Sequence, residues 1–375
     1  MRTTNEDRVR GCLLGGAIGD ALGAPVEFWS RARIEDVFGS EGVQGYHPVT
    51  FSGEPRIGLI TDDTQMTLFT CEGLMRAHMR GMTRGVCWPP GVLHYAYQRW
   101  LQTQQLAAPP PVGAEMASDS DLGWLVREAW LYERRAPGAT CLMALEAAQG
   151  GNYPGTADND SKGCGGVMRS APFGLYNQLV GAVDVAVECA GITHGHRTGQ
   201  LASGAFARMI QELFDGGSID GAVDAALLWL AHKDGSLETV QALQKAAAAA
   251  RAGSPDWQVV ESLGGGWIAE EALAIGVYCA LVHQGEGELR DALSLAVSHT
   301  GDSDSTGSIC GNLLGTRHGV GALPEDLLRD LEGRGTIDRV AQDMTVFIET
   351  PDQVVEEGQL GRGGGRDWWD RYPGC

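Results

Sequence analysis

Residues 60–79 read ITDDTQMTLFTCEGLMRAHM. Leu68, Cys71, Met75 and Met79 fall at spacings of three and four, the repeat of a helix with one apolar face. Thr61, Asp62 and Asp63 stand just before that stripe, where a hydroxyl cap and two carboxylates suit the positive end of a helix macrodipole. Working outward, the same spacing returns in Leu201, Ala205, Met209 and Leu213, and in Leu289, Leu293 and Ala296. Alternating Val/Ile/Thr runs are missing, so the sequence reads as all-α. QALQKAAAAAR (241–251), closed by Gly253 and Pro255, reads as a surface helix. Gly11, Gly15, Gly16, Gly19 and Gly23 recur within the first helical pattern, each costing about 0.5–1 kcal/mol relative to Ala. Such a cost predicts close helix approach or backbone exposed to a ligand.

The formal net charge is −20, and no Lys/Arg cluster offsets it, which argues against a nucleic-acid partner. Apolar content of 43% is enough for a core, and no linker forces a division of the chain. The longest charge-free apolar stretch, Ala272 to Gly285, falls short of the roughly 18–20 residues that cross a bilayer. The opening MRTTNEDRVR lacks the apolar run of a secretory signal, so a cytoplasmic protein without membrane association is expected. The 9 cysteines form no C-x-x-C pair and sit mostly among small apolar residues, which makes disulfides and a zinc site poor expectations. The reading is one domain over 1–350, with a loop insertion at 101–120 around three prolines. A flexible extension, 351–375, follows, its Trp368, Trp369 and Tyr372 suited to docking back on the body.

Three further stretches carry candidate chemistry. HTGDSDSTGSICGNLL (299–314) is a second helix start with Asp302, Asp304, Ser303, Ser305 and Thr306 in its first turn. It mimics an EF-hand loop, but the twelfth position is Leu313 instead of Glu, and Ile309, Leu313 and Leu314 already follow helical spacing. Two acid-rich helix starts that converge would hold four repelling carboxylates, which proteins resolve by protonation or by binding cations. Oxygen ligands favour hard ions such as Mg2+ or Mn2+, and a bridging carboxylate suits a pair. DSKGCGGVMRSAP (160–172) is either an ordinary glycine-rich loop or a nest of N–H groups for an anion; it is neither a Walker A nor a dinucleotide fingerprint. In ITHGH (192–196), His194 and His196 lack further metal partners nearby, so a structural or substrate-touching role outweighs zinc.

Taken together, these residues resemble the ADP-ribosylglycohydrolases. The resemblance runs from Gly11 to about Pro324 and rests on GCLLGGAIGDALGAPVEF (11–28), ITDDTQMTL (60–68), DSKGCGGVMRSAPFGL (160–175), THGH (193–196), GGGWIAEEALAIGVYCAL (264–281) and HTGDSDSTGSICGNLLG (299–315). It implies a compact single-domain orthogonal helical bundle with two Mg2+ or Mn2+ ions in a central cleft. On the matching positions, Thr61, Asp62 and Asp63 would hold one ion, Asp304 would bridge, and Asp302 with Ser305 would complete the second. Glu27 matches a mobile glutamate that closes over the site. Gly163, Cys164, Gly165 and Gly166, preceded by Ser161, match the loop that receives the diphosphate, with His194 touching substrate. Trp267 matches an aromatic that flanks ADP-ribose. Ser305 keeps a hydroxyl ligand where the family pattern has Thr, and Cys164 stands where eukaryotic relatives tend to have Asn.

Cleavage at an anomeric carbon passes through an oxocarbenium-like state, which calls for anchored hydroxyls, a polarised water and a carboxylate to take its proton. Asp302 and Glu27 are the candidate bases, and Asp121, in a D-x-G element, is a third. The implied reaction is removal of ADP-ribose from a protein side chain, arginine first, by a monomeric enzyme that releases ADP-ribose. Serine-linked or small-molecule conjugates are an alternative. So is a non-catalytic member of the fold, against which the retention of Asp62, Asp63, Asp302 and Asp304 argues.

Overall fold

The computed structural model describes residues 3–110, 123–149, 155–253, 255–352, 354 and 368–374. They form α1 (Asn5–Gly23), α2 (Arg31–Phe38), α3 (Asp62–Arg84), α4 (Pro89–Gln105), α5 (Ala139–Ala147), α6 (Ala171–Leu175), α7 (Ala182–Gly191), α8 (Arg197–Phe214) and α9 (Ile219–Leu230). There follow α10 (Leu237–Ala252), α11 (Trp257–Leu263), α12 (Ala269–Val282), α13 (Leu289–Val297), α14 (Ser303–His318), α15 (Glu325–Asp330), α16 (Arg334–Glu349) and α17 (Trp368–Arg371). No strand occurs among the described residues, where extended pairing is limited to two isolated bridges, Val49 with Arg56 and Gly163 with Ile268. The protein is all-α and packs as one domain around a continuous core.

The glycines of α1 explain its central place. A Cβ added to Gly11, Gly15 or Gly19 would lie 2.2, 2.5 or 2.0 Å from the carbonyl oxygen of Gly315, Gly311 or Gly307, and one on Gly23 would strike Ser303. Such contacts are far inside van der Waals range, so only glycine lets the two backbones touch. Successive pairs step four residues up α1 and four down α14, which makes the helices antiparallel. The end of α1, with Asp20 and then Glu27, therefore meets the start of α14, with Asp302 and Asp304. Helices α8, α12 and α13 close around α14, with Gly276 of α12 seated against Ile309.

Helix α3 starts at Thr61, whose hydroxyl accepts from the Asp63 amide, and ends at Gly85 in the left-handed region. Its residues from Asp62 through Ala77 are buried on every side. Helix α10 instead buries only Thr239, Leu243, Ala246 and Ala247, and turns its other faces to solvent.

One boundary is corrected. The loop expected from 101 begins only after Gln105, because Leu101 belongs to the core and the Gln104 amide donates to Gln65 Oε1 at 2.9 Å, which extends α4 by a full turn. Residues 111–120 of that insertion lie outside the described residues. In α17 the aromatic end packs inward: Trp368 and Tyr372 are buried on Phe347, and the Tyr372 hydroxyl donates to Asp343 Oδ2 at 2.7 Å. No described helix is long and apolar enough to cross a membrane.

Candidate active site

The starts of α3 and α14 and the turn after α1 open onto one cleft of about 350 Å3, lined among others by Glu27, Asp62, Asp63, Asp302, Asp304 and Ser305. Three of these acids are held by backbone. The Asp62 carboxylate accepts from the Gly138 amide at 3.3 Å; Asp302 caps α14 by accepting from Ser305 N at 3.3 Å; Asp304 accepts from the same amide at 2.8 Å. The Cys164 thiol donates to Asp302 Oδ2 at 2.9 Å. Asp63 Oδ2 is buried with no hydrogen-bond partner.

A sixth acid, which the sequence reading did not single out, lies beneath them. Asp20 of α1 is fully buried, accepts from the Thr61 amide at 3.0 and 3.1 Å and from the Thr64 amide at 3.1 Å, and also takes the Thr64 hydroxyl. It satisfies donors that the first turn of α3 leaves open, and so fixes Thr61, Asp62 and Asp63 in place. A signal was available: Asp20 interrupts an apolar, glycine-rich stretch with no cation three or four residues away on the helix.

Burial followed by the charge of Asp304 raises the carboxyls of Asp20, Asp62, Asp63 and Asp302, bringing Asp20 to about 7. Glu27 is pushed up to about 10, again by burial first, then by Asp304 and Asp302. Among the described residues, none of these five forms an ion pair with Lys or Arg, and the strongest influences on each are burial and other acids or neutral donors. The donor set is oxygen only, contains an orphaned carboxylate oxygen and lacks a protein cation, which fits hard divalent ions. Among the described residues, no three His, Cys, Asp or Glu side chains already close around a single metal point; the acids face a shared space instead of a finished cage.

The glycine loop forms the opposite wall. Its short 3-10 turn, Cys164–Gly166, is pinned to the start of α12, since Cys164 N donates to Trp267 O at 3.2 Å and Ala269 N to Lys162 O at 2.9 Å. Gly163 N is taken by Ser161 Oγ at 3.3 Å, which leaves fewer free amides for an anion than three glycines suggested. His194 is buried behind the loop: a Cβ on Gly165 would come within 2.9 Å of its ring. His196 goes elsewhere, capping α8 through Thr198 N at 3.1 Å. Trp267 stacks on Phe28 at 5.0 Å over the cleft mouth, and Phe28, next to Glu27, has a φ of 67° and is 73% exposed. For a bulky residue that backbone is strained. Asp121 lies outside the described residues.

The ADP-ribosylglycohydrolase family pattern matches residues 1–354. An uncharacterized protein of Archaeoglobus fulgidus is 26% identical over 340 residues, covering 90% of this chain and 95% of its own. The ADP-ribosyl-[dinitrogen reductase] glycohydrolase of Rhodospirillum rubrum is 24% identical over 335 residues, covering 87% and 91%. A solved ADP-ribosylglycohydrolase-related protein complex superposes with a TM-score of 0.64 at 24% identity, over 91% of this chain and 97% of that one, a likeness of fold. The chain belongs to the ADP-ribosylglycohydrolase family, hydrolases that act on glycosyl bonds.

Proposed function

We propose that the protein hydrolyses the bond between ADP-ribose and a modified protein side chain, arginine first, in a reaction that depends on two Mg2+ or Mn2+ ions. The observation that carries this reading is the acid set itself: Glu27, Asp62, Asp63, Asp302 and Asp304 line one cleft above the buried Asp20, none of the strongest influences on the shifted carboxyls is a basic side chain, and Asp63 Oδ2 is orphaned. A structural or purely binding role gives no reason to sustain that repulsion. Thr61, Asp62 and Asp63 would hold one ion, Asp302 and Ser305 the other, with Asp304 between them. When bound, the pair supplies the positive charge that anchors ribose hydroxyls and acidifies a water.

The remaining work falls to the chain. Glu27, on a strained turn at the cleft mouth, and Asp302, whose two oxygens accept from the Ser305 amide and the Cys164 thiol, are the candidate carboxylates to take the proton of the attacking water. Gly163, Cys164 and Gly165 of the glycine loop line the cleft and would receive the diphosphate, and Trp267 with Phe28 would offer an aromatic face to the ligand. The negative charge around the anomeric carbon favours its oxocarbenium-like transition state.

The test is release of ADP-ribose from arginine-modified and serine-modified protein, with Mn2+ or Mg2+ and with chelator. Metal-dependent release, faster from the arginine linkage, is expected. No release from either linkage, or release indifferent to chelator, refutes the reading.

A further inference from the structure

Arg169 is fully buried behind the cleft, yet among the described residues it forms no ion pair with a carboxylate. Its guanidinium lies 4.3 Å above the Tyr97 ring, contacts the sulfurs of Met66 and Cys141 at 3.4 and 3.5 Å, and donates through Nη2 to Thr193 Oγ1 at 2.7 Å. Thr193 Oγ1 in turn lies 2.8 Å from His194 Nδ1. The chemistry of these three groups favours one direction for the chain. Arginine has no acceptor, so the Thr193 oxygen must accept from it; the hydroxyl then has a single proton to give. Of the acceptors in reach, the imidazole nitrogen is strong and the Cys141 thiol weak, so the proton goes to Nδ1. The ring proton is left on Nε2, the edge facing the glycine loop, where a Cβ on Gly163 would lie 3.4 Å away. His194 lines the cleft at that point.

We propose that Arg169 and Thr193 are positioning residues, acting through His194 to hold it as the tautomer that presents an Nε2–H donor to the ligand beside the glycine loop. The arrangement also gives a role to a cation kept behind a site rich in acids: Arg169 fills one of the two lone pairs of the Thr193 oxygen and turns the hydroxyl proton toward Nδ1, the better acceptor beside it. Burial, with Arg169 nearby, pushes the imidazole down to about 3, so it stays neutral and offers one donor without a charge. Identification of the ligand as ADP-ribose rests on the function proposed above; the tautomer does not.

Long-range 1H–15N spectra of protein labelled at histidine report which ring nitrogen carries the proton. The expected result for the full chain is His194 protonated on Nε2, unchanged in Thr193→Ser and redistributed toward Nδ1–H in Thr193→Val. Calorimetric titration with ADP-ribose in the presence of Mn2+ should show Thr193→Val about tenfold weaker, the loss of one oriented hydrogen bond, with Thr193→Ser close to wild type. A wild-type His194 protonated on Nδ1 overturns the proposal without any variant, and so does an unchanged tautomer in Thr193→Val. Wild-type protein that shows the Nε2–H tautomer but does not bind ADP-ribose counts against the proposed function and leaves the relay standing.

Discussion

The Asp20 carboxylate and the Thr61 amide, 41 residues apart in sequence, meet at 3.0 Å, so the first helix caps the third. Replacing Asp20 by Ala strips the acceptor from the Thr61 and Thr64 amides, both buried, at about 1–3 kcal/mol for each orphaned donor. Asp20→Asn keeps one oxygen and should cost less. Urea unfolding at neutral pH is expected to rank wild type above Asn above Ala. Metal affinity should fall in the same order, because Thr61, Asp62 and Asp63 lose their anchor. Equal stability of all three proteins contradicts the capping role.

The α1–α14 seam yields a second expectation. A methyl at position 19 would meet the Gly307 carbonyl carbon and oxygen at 2.2 and 2.0 Å, and backbone cannot swing aside as a side-chain tip can. Gly19→Ala should therefore force the helices apart and destabilise by at least about 1–3 kcal/mol, the usual range for overpacking. Gly45 has open space around its missing Cβ, so Gly45→Ala should stay within about 0.5 kcal/mol of wild type. Thermal melts of the pair decide it, and a Gly19→Ala protein as stable as Gly45→Ala refutes the seam.

How much of this was legible in the sequence follows from the range of each interaction. Thr61-Asp62-Asp63 and Asp302 to Ser305 are readable because capping is local: a hydroxyl or carboxylate bonds amides two or three residues ahead. The glycines of α1 announce a close approach, but not to what, since Gly311 and Gly315 lie some 300 residues on. Asp20 stayed hidden for the same reason, its partners being set by tertiary packing. The glycine loop was recognised while its amides were overcounted, because the bond from Cys164 N to Trp267 O joins segments that no spacing rule connects. The boundary at Leu101 failed since a proline cluster downstream outweighed three buried residues, Leu101, Thr103 and Gln104, just before it.

Asp304 raises the carboxyls of Glu27, Asp20, Asp62, Asp63 and Asp302, so it is the charge that most of the site repels. Asp304→Asn preserves the oxygen that accepts from Ser305 N and removes that charge. Metal-free Asp304→Asn should melt above metal-free wild type at pH 8, while its response to Mn2+ and its turnover collapse. Stability gained together with activity lost is the expected signature of acids kept for function. A lower melting temperature without metal shows that Asp304 holds the fold rather than a cation.

The same charges set a pH dependence whose sign can be worked out. Asp20 rises from 3.8 to about 7 and Glu27 from 4.5 to about 10 on folding. For a raised carboxyl the folded state binds the extra proton, so its contribution is fully present below the unfolded value and is lost as pH climbs through the folded one. His194 and His299, pushed by burial down to about 3 and about 4, act the opposite way, costing stability as pH falls below about 6.5. The two effects overlap in acid, and above pH 6.5 only the carboxylates remain. Between pH 6.5 and 9, metal-free protein is therefore expected to melt at progressively lower temperature. Saturating Mn2+ should flatten that decline, because cations take over the neutralising role of the protons, so the metal-induced rise in melting temperature grows with pH. Differential scanning fluorimetry across that range, with Mn2+ and with chelator, measures both slopes, and a metal-induced rise that is constant or shrinks toward pH 9 is incompatible with cations bound at these acids.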